Sequence, residues 1–133
     1  RQQSQQVERR QILSSKDVYE LMQPLIGDLR NEEFWVVAIN NASRIIKKVQ
    51  VSVGGIDQTS ADVRLIMQVL INTGASQFAA VHNHPSGNSR PSNDDKRLTE
   101  QLKKAAGIFN IRVMDHVIIT NDGYYSFCDE GMI

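Results

Sequence analysis

The chain has very little of several residue types on which common protein classes depend. Among its 133 residues there is one cysteine, Cys128. A single cysteine excludes an internal disulfide, and it leaves cysteine-closed structural zinc sites without their ligands. We expect Cys128 to be a small packing residue, and a reducing compartment such as the cytoplasm fits this cysteine content.

Long apolar runs are also missing. No segment approaches the roughly 18 residues of a membrane span, and the first residues lack the apolar centre of a signal peptide. We therefore expect a soluble, cytoplasmic protein without a membrane partner.

The chain has no excess of charge of either sign. The 15 basic residues are matched by 15 acidic ones, and aromatic residues make up only 6% of the chain. No overall field attracts the protein to nucleic acid, and few rings are available to stack on bases. Any binding to DNA would have to come from a local basic patch.

Length and composition predict one domain. A chain of this length with 41% hydrophobic residues can bury a core but is too short for two domains of ordinary size. Residues 1–13, which begin glutamine-rich, are expected to be a tail or the remnant of a linker, and residues 14–133 the domain. Because the first residue is arginine, we expect the chain to begin inside a longer gene product.

Two of the three histidines lie two residues apart at the end of an apolar segment. His82 and His84 follow Phe-Ala-Ala-Val at 78–81, which has the character of a strand. On an extended strand both imidazoles point to the same face, roughly 7 Å apart. The spacing therefore predicts that His82 and His84 bind one metal ion together.

A third ligand is predicted at the start of the following helix. Pro85-Ser86-Gly87 ends the strand, and Pro91-Ser92 opens a helix that brings Asp95 back towards the histidines. Two imidazoles and one carboxylate leave one tetrahedral position open, as in a catalytic zinc site. As alternatives, Ser92 and Asp95 have the spacing of a capping box, and a strand histidine is often only a hydrogen-bonded core residue. Together the features favour one zinc ion per chain, bound by His82, His84 and Asp95.

Strand and helix signals alternate along the rest of the chain. Helices are predicted after Ser14 or Ser15, after Thr59 or Ser60, and from Ser92, and strands over 33–40, 44–53, 77–82, 111–120 and 124–128. The first two strands are expected to form a hairpin, and the first, apolar on both faces, to be central in its sheet. The first helix is expected to bury Val18, Leu21, Met22 and Leu25. This order predicts an α/β fold, an α/β/α sandwich around one mixed sheet.

The residues around the histidines resemble the motif of a known enzyme family. His82-x-His84-Pro85, with Ser92 seven residues after the proline and Asp95 three residues further, is similar to the JAMM (MPN+) metalloprotease signature. The string His-Asn-His-Pro-Ser-Gly at 82–87, with Asp-His-Val-Ile-Ile at 115–119, more closely resembles the RadC family. This resemblance covers the chain from about residue 14 to its end. It implies the C-terminal domain of a RadC protein, with the JAB/MPN, cytidine-deaminase-like architecture.

The resemblance also implies residues for catalysis. It places a general base just before the first strand, two residues ahead of an aromatic, which here is Glu32 before Phe34. Glu33 is the alternative, because neighbouring strand residues face opposite ways and the apolar pattern cannot choose between them. Ser92 is similar to a serine whose hydroxyl supports the developing oxyanion, at a helix N-terminus whose dipole favours negative charge.

The remaining histidine lies outside the metal signature. His116 follows Asp115 in a strand, and we expect it to be a half-buried, hydrogen-bonded residue that at most supports a ligand.

Three functions are consistent with the sequence. The favoured one is a zinc-dependent hydrolase of a peptide or isopeptide bond in a peptide or protein substrate. The second is a module associated with DNA repair or recombination, which the family name implies. The third is a metal-stabilised interaction domain without turnover.

Overall fold

The computed structural model describes residues 10–52 and 61–133, which contain a five-stranded sheet and three helices. In chain order the elements are α1 (Ser15–Ile26), β1 (Phe34–Ile39), β2 (Ile45–Ser52), α2 (Val63–Thr73), β3 (Gln77–Asn83), α3 (Asn93–Ile108), β4 (Arg112–Ile119) and β5 (Tyr124–Ser126). The strands lie in the order β2-β1-β3-β4-β5, so β3 is the middle strand. Among these described strands only the β3–β4 pair is parallel, and the predicted mixed sheet and the β1–β2 hairpin are both confirmed.

The two faces of the sheet are covered by different helices. On one face, Val36 and Ala38 of β1 pack in a core with residues of α2 and α3 such as Leu70 and Leu102. On the other face, Val37 and Ile39 pack with the buried side of α1. The apolar alternations of β1 therefore serve two separate cores, as predicted for a central strand, and the α/β/α sandwich is confirmed.

Several local expectations need correction. In α1 the buried stripe ends on Ile26, one turn after Met22, whereas Leu25 is 44% exposed. The N-cap of α2 is Asp62, whose carboxylate accepts from two backbone amides of the first turn. Thr59 and Ser60, the predicted caps, lie outside the described residues.

The ends of the chain also differ from expectation. Cys128 is exposed, because β5 stops at Ser126 and Cys128 lies in the turn that follows. Residues 10–13 are the described part of the predicted tail. The Ile12 amide donates to the Ser43 carbonyl, the Ile45 amide donates to the Arg10 carbonyl, and Ile12 is buried. No helix within 10–52 and 61–133 is long and apolar enough to cross a membrane.

Candidate metal centre

Side chains from three parts of the fold meet at the carboxyl end of β3. His82 lies near the end of β3, and His84 follows the strand directly. Because β1 runs antiparallel to β3, with Phe34 opposite His82, residue Glu32 just before β1 also lies at this end. Asp95 reaches the same point from the first turn of α3.

His82 is held between two carboxylates and is almost fully buried. Its Nδ1 lies 3.2 Å from Glu32 Oε2, within hydrogen-bond distance. Its Nε2 lies 3.5 Å from Asp95 Oδ1 but has no hydrogen-bond partner among the described residues. A buried polar atom without a partner is unfavourable, so this nitrogen is left to bind something else.

His84 is oriented by the turn that follows it. Gly87 has φ +87°, a backbone conformation that residues with a side chain rarely adopt. The turn brings the Asn88 carbonyl to within 2.9 Å of His84 Nδ1. His84 Nε2 lies 3.2 Å from Asp95 Oδ2. Ser86 and Gly87 thus serve the geometry of this turn, and Ser86 Oγ accepts from the Asn88 amide at 3.3 Å.

The donor set fits a cation. The Asn88 carbonyl and the Glu32 carboxylate can only accept, so each histidine Nδ1 carries the proton of its ring. In neutral rings both Nε2 atoms therefore turn lone pairs towards the Asp95 carboxylate. Two nitrogen lone pairs and a carboxylate repel one another unless a positive charge, either a proton or a metal ion, lies between them. Imidazole and carboxylate are also the ligands that zinc takes in catalytic sites.

The contact between His84 and Asp95 shifts the pKa values of both groups. Burial opposes protonation of His84, but hydrogen bonds with Asp95 and Asn88 outweigh it and raise the pKa of the imidazole. Burial opposes ionisation of Asp95, but the hydrogen bond with His84 and the charge of His82 hold the pKa of this carboxyl well below its usual range. Asp95 is thus an anion at neutral pH.

Asp95 also belongs to the capping box of α3, whose N-cap is Ser92. Its Oδ2 accepts from the Ser92 amide at 2.8 Å, and its own amide donates to Ser92 Oγ at 3.0 Å. The capping box and the contact with both histidines, which the sequence offered as alternatives, therefore occur together.

Two overlapping sets of three residues are candidates to hold an ion. Glu32, His82 and His84 each offer one ligand atom, and these atoms lie within 4.8 Å of one another. Asp95 contacts the Nε2 atoms of the same two histidines at 3.5 and 3.2 Å. The histidines are common to both sets, and the carboxylates lie on different sides of His82.

The two glutamates before β1 face different surroundings. Glu32 faces His82, whereas Glu33 Oε1 accepts from Trp35 Nε1 at 3.0 Å. Of these two glutamates, the geometry therefore favours Glu32 as the one that belongs to the candidate metal centre. Asn83, which no sequence pattern distinguishes, fixes this segment. Its side-chain oxygen accepts from the Glu33 N–H at 2.7 Å, and its side-chain NH₂ donates to the Asn31 carbonyl at 3.0 Å.

His116 differs from its prediction. It is fully buried instead of half-buried, and its Nε2 has no partner among the described residues. Burial, together with the charge of nearby His82, lowers the pKa of this imidazole well below its usual range. Its Nδ1 lies 2.6 Å from Thr99 Oγ1, a buried residue that no sequence pattern distinguishes.

The Asp115 side chain bonds to residues at and after the end of β5, not to the candidate metal centre. Its carboxylate accepts from Ser126 Oγ at 2.6 Å and from the Cys128 amide at 3.0 Å, so it holds the turn after β5.

A cavity of about 280 Å³ opens beside His84. Its lining consists of Gly27, Asp28, Leu29, Arg30, His84, Pro85 and Asn121. One edge of the candidate metal centre can therefore be reached from outside.

The chain is similar to known bacterial proteins over nearly its whole length. The family model described as RadC-like JAB domain matches residues 12–132. A UPF0758 protein of Flavobacterium johnsoniae is 47% identical over 123 residues, which cover 92% of this chain and 54% of the relative. UPF0758 proteins of Porphyromonas gingivalis and Salinibacter ruber are 45% and 40% identical, over 98% of this chain and 58% and 56% of their own lengths. The chain thus spans just over half the length of these curated relatives.

Proposed function

Because this chain belongs to the RadC-like JAB domain family, we propose that it is a zinc-dependent hydrolase that cleaves a peptide or isopeptide bond. His82, His84 and Asp95 would hold the ion, Glu32 would act as the base, and Ser92 would support the oxyanion. A peptide or protein would be the substrate.

One observation carries most of the proposal. Two imidazoles have their Nδ1 atoms committed to acceptors, and both Nε2 atoms face the same ionised carboxylate. His82 Nε2 is buried without a hydrogen-bond partner among the described residues and faces Asp95 Oδ1 at 3.5 Å, so an ion held between the two atoms would satisfy both. Zinc held there would supply Lewis acidity, which polarises a carbonyl group and makes water more acidic.

Glu32 has the contacts that a base needs. Its Oε2 faces the Nδ1–H of His82, and its side chain is 14% exposed, so a substrate water can reach it. In the proposed reaction Glu32 takes a proton from the attacking water and passes it to the nitrogen of the leaving amine. The same carboxylate keeps the His82 ring in the tautomer that frees Nε2.

Ser92 remains able to donate a hydrogen bond. Its Oγ accepts from the Asp95 amide, which does not use the hydroxyl proton. The residue is exposed at the N-terminus of α3, where the helix dipole favours an anion. The hydroxyl would donate to the carbonyl oxygen of the scissile bond as negative charge develops on it.

Zinc dependence tests the proposed function. Protein loaded with one equivalent of zinc should cleave members of a panel of α-peptide and ε-isopeptide substrates, as followed by mass spectrometry. Removing the ion with a chelator should abolish cleavage, and adding zinc back should restore it. One bound zinc per chain without cleavage of any substrate would favour the interaction domain without turnover.

DNA binding separates the proposed function from the repair-module alternative. With 15 basic and 15 acidic residues the chain can neutralise few phosphates, so we expect a Kd no tighter than about 10⁻⁴ to 10⁻⁶ M, weakened further by salt. Titration of labelled single- and double-stranded DNA at physiological salt measures it. Nanomolar binding would favour the repair module, with a basic surface to be sought among Arg44, Lys47, Lys48, Lys96 and Lys103.

A further inference from the structure

Two buried side-chain nitrogens within residues 10–52 and 61–133 have no hydrogen-bond partner, and both belong to histidines. His82 Nε2 is explained by the proposed metal centre. His116 Nε2 belongs to a ring that the proposed chemistry does not use. This ring packs 5.0 Å from the ring of His82, so its position bears directly on a proposed ligand.

The contacts of Thr99 have a defined direction. Its hydroxyl lies 2.9 Å from the Asp95 carbonyl and 2.6 Å from His116 Nδ1. A carbonyl only accepts, so the single hydroxyl proton goes to Asp95, and the ring N–H of His116 donates to the hydroxyl oxygen. Two consecutive hydrogen bonds therefore connect the His116 ring, through the Thr99 hydroxyl, to the backbone carbonyl of Asp95.

Aromatic packing holds the other side of the same ring. His116 stacks on Phe127, with ring centroids 4.5 Å apart and planes 6° from parallel. Phe34 stacks on His82 at 5.3 Å. The buried ring of His82 is therefore confined by one aromatic residue and by His116.

We propose that Thr99 and His116 are positioning residues of the metal centre, which fix the separation between Asp95 on α3 and the two histidines at the carboxyl end of β3. The proposal rests on the proposed function, because it takes His82, His84 and Asp95 as the ligands. Thr99 lies one turn after Asp95, and His116 lies on β4 opposite Ala80 of β3. Their hydrogen bond thus ties the ligand-bearing turn of the helix to the strand beside the ligand-bearing strand.

A fully buried histidine suits this position, because its hydrogen bond to Thr99 is shielded from competing water. Support of this kind typically changes metal affinity by about 10- to 100-fold.

The Thr99→Val variant tests the proposal, because it keeps the shape of the side chain and removes both hydrogen bonds. We expect its zinc affinity, measured by competition with a chromophoric chelator, to fall by about 10- to 100-fold. Thr99→Ser should restore the affinity, since it retains the hydroxyl. His116→Phe, which can still stack on Phe127 but cannot donate, should weaken zinc binding in the same way.

Thr73→Val is the matched control. Thr73 Oγ1 makes the same type of bond to the Val69 carbonyl at 2.8 Å, one turn back in α2, with no histidine attached. Its removal should leave zinc affinity unchanged. The Tm of the metal-free protein, measured on every variant, reports purely structural effects.

The outcomes separate this inference from the proposed function. If Thr99→Val and His116→Phe bind zinc as the wild type does and only lower the metal-free Tm, the positioning role is overturned and the zinc site stands. If wild-type protein binds no zinc, the proposed function fails and the positioning role falls with it.

Discussion

The Glu32→Gln variant should keep its zinc while its rate of hydrolysis falls by about 100-fold or more. Glutamine retains the shape of the side chain. Its carbonyl oxygen can still accept from the Nδ1–H of His82, which lies 3.2 Å from Glu32 Oε2 in the wild type. It cannot take a proton from water. A loss of about 100-fold corresponds to about 2.7 kcal/mol of transition-state stabilisation, which is within the usual contribution of a general base.

Glu33→Gln is the control for this experiment. Glu33 contacts Trp35, and a glutamine oxygen can accept the same hydrogen bond. We therefore expect a much smaller change in rate. If Glu33→Gln abolished hydrolysis and Glu32→Gln left it intact, the assignment of the base would be wrong by one residue.

The His82→Ala, His84→Ala double variant should lose its zinc. We expect about one zinc ion per chain in the wild type and close to none in the variant, because two of three protein ligands are gone. Elemental analysis after gel filtration measures the content. Full zinc content in the double variant would refute the proposed site.

Substitution of the two carboxylates decides between the candidate ligand sets. Asp95→Asn removes the charge but leaves an oxygen that can accept from the Ser92 amide, so the helix cap can persist. If Asp95 is the ligand, this variant should lose zinc while Glu32→Gln retains it. The reverse pattern would make Glu32 the ligand, as its clustering with His82 and His84 also permits.

The parts of the site that could be predicted depend on the geometry of single elements. His82 and His84 are two residues apart, and strand geometry alone directs both rings to one face. Ser92 and Asp95 have the spacing of a capping box, so the start of α3 could also be predicted. The alternation of β1, with Val36 and Val37 in different cores, follows from the same reasoning.

The parts that could not be predicted depend on contacts between distant segments. Asn83 bonds to Asn31 and Glu33 across some 50 residues of sequence, and Thr99 meets His116 across 17. No local period marks such pairs, since each residue would look ordinary in its own element. The choice of Glu32 over Glu33 came from the family resemblance, because β1 is apolar on both faces.

Smaller errors came from competing local signals. Leu25 and Ile26 both continue the helical period from Leu21 and Met22, and only packing against the sheet selects Ile26. An exposed Cys128 could not be foreseen, because residue type alone suggested burial and the chain leaves β5 two residues earlier.

The proposed ligands differ in the stability of the elements that hold them, which bears on how long an ion would stay bound. His82 lies on the middle strand of the sheet, where opening the backbone would require much of the fold to unfold. Asp95 lies in the first turn of a helix, and helix ends open at much lower free energy. We therefore expect release to begin at Asp95 and to end at His82. The residence time of the ion would be governed by the capping box of α3 more than by the sheet.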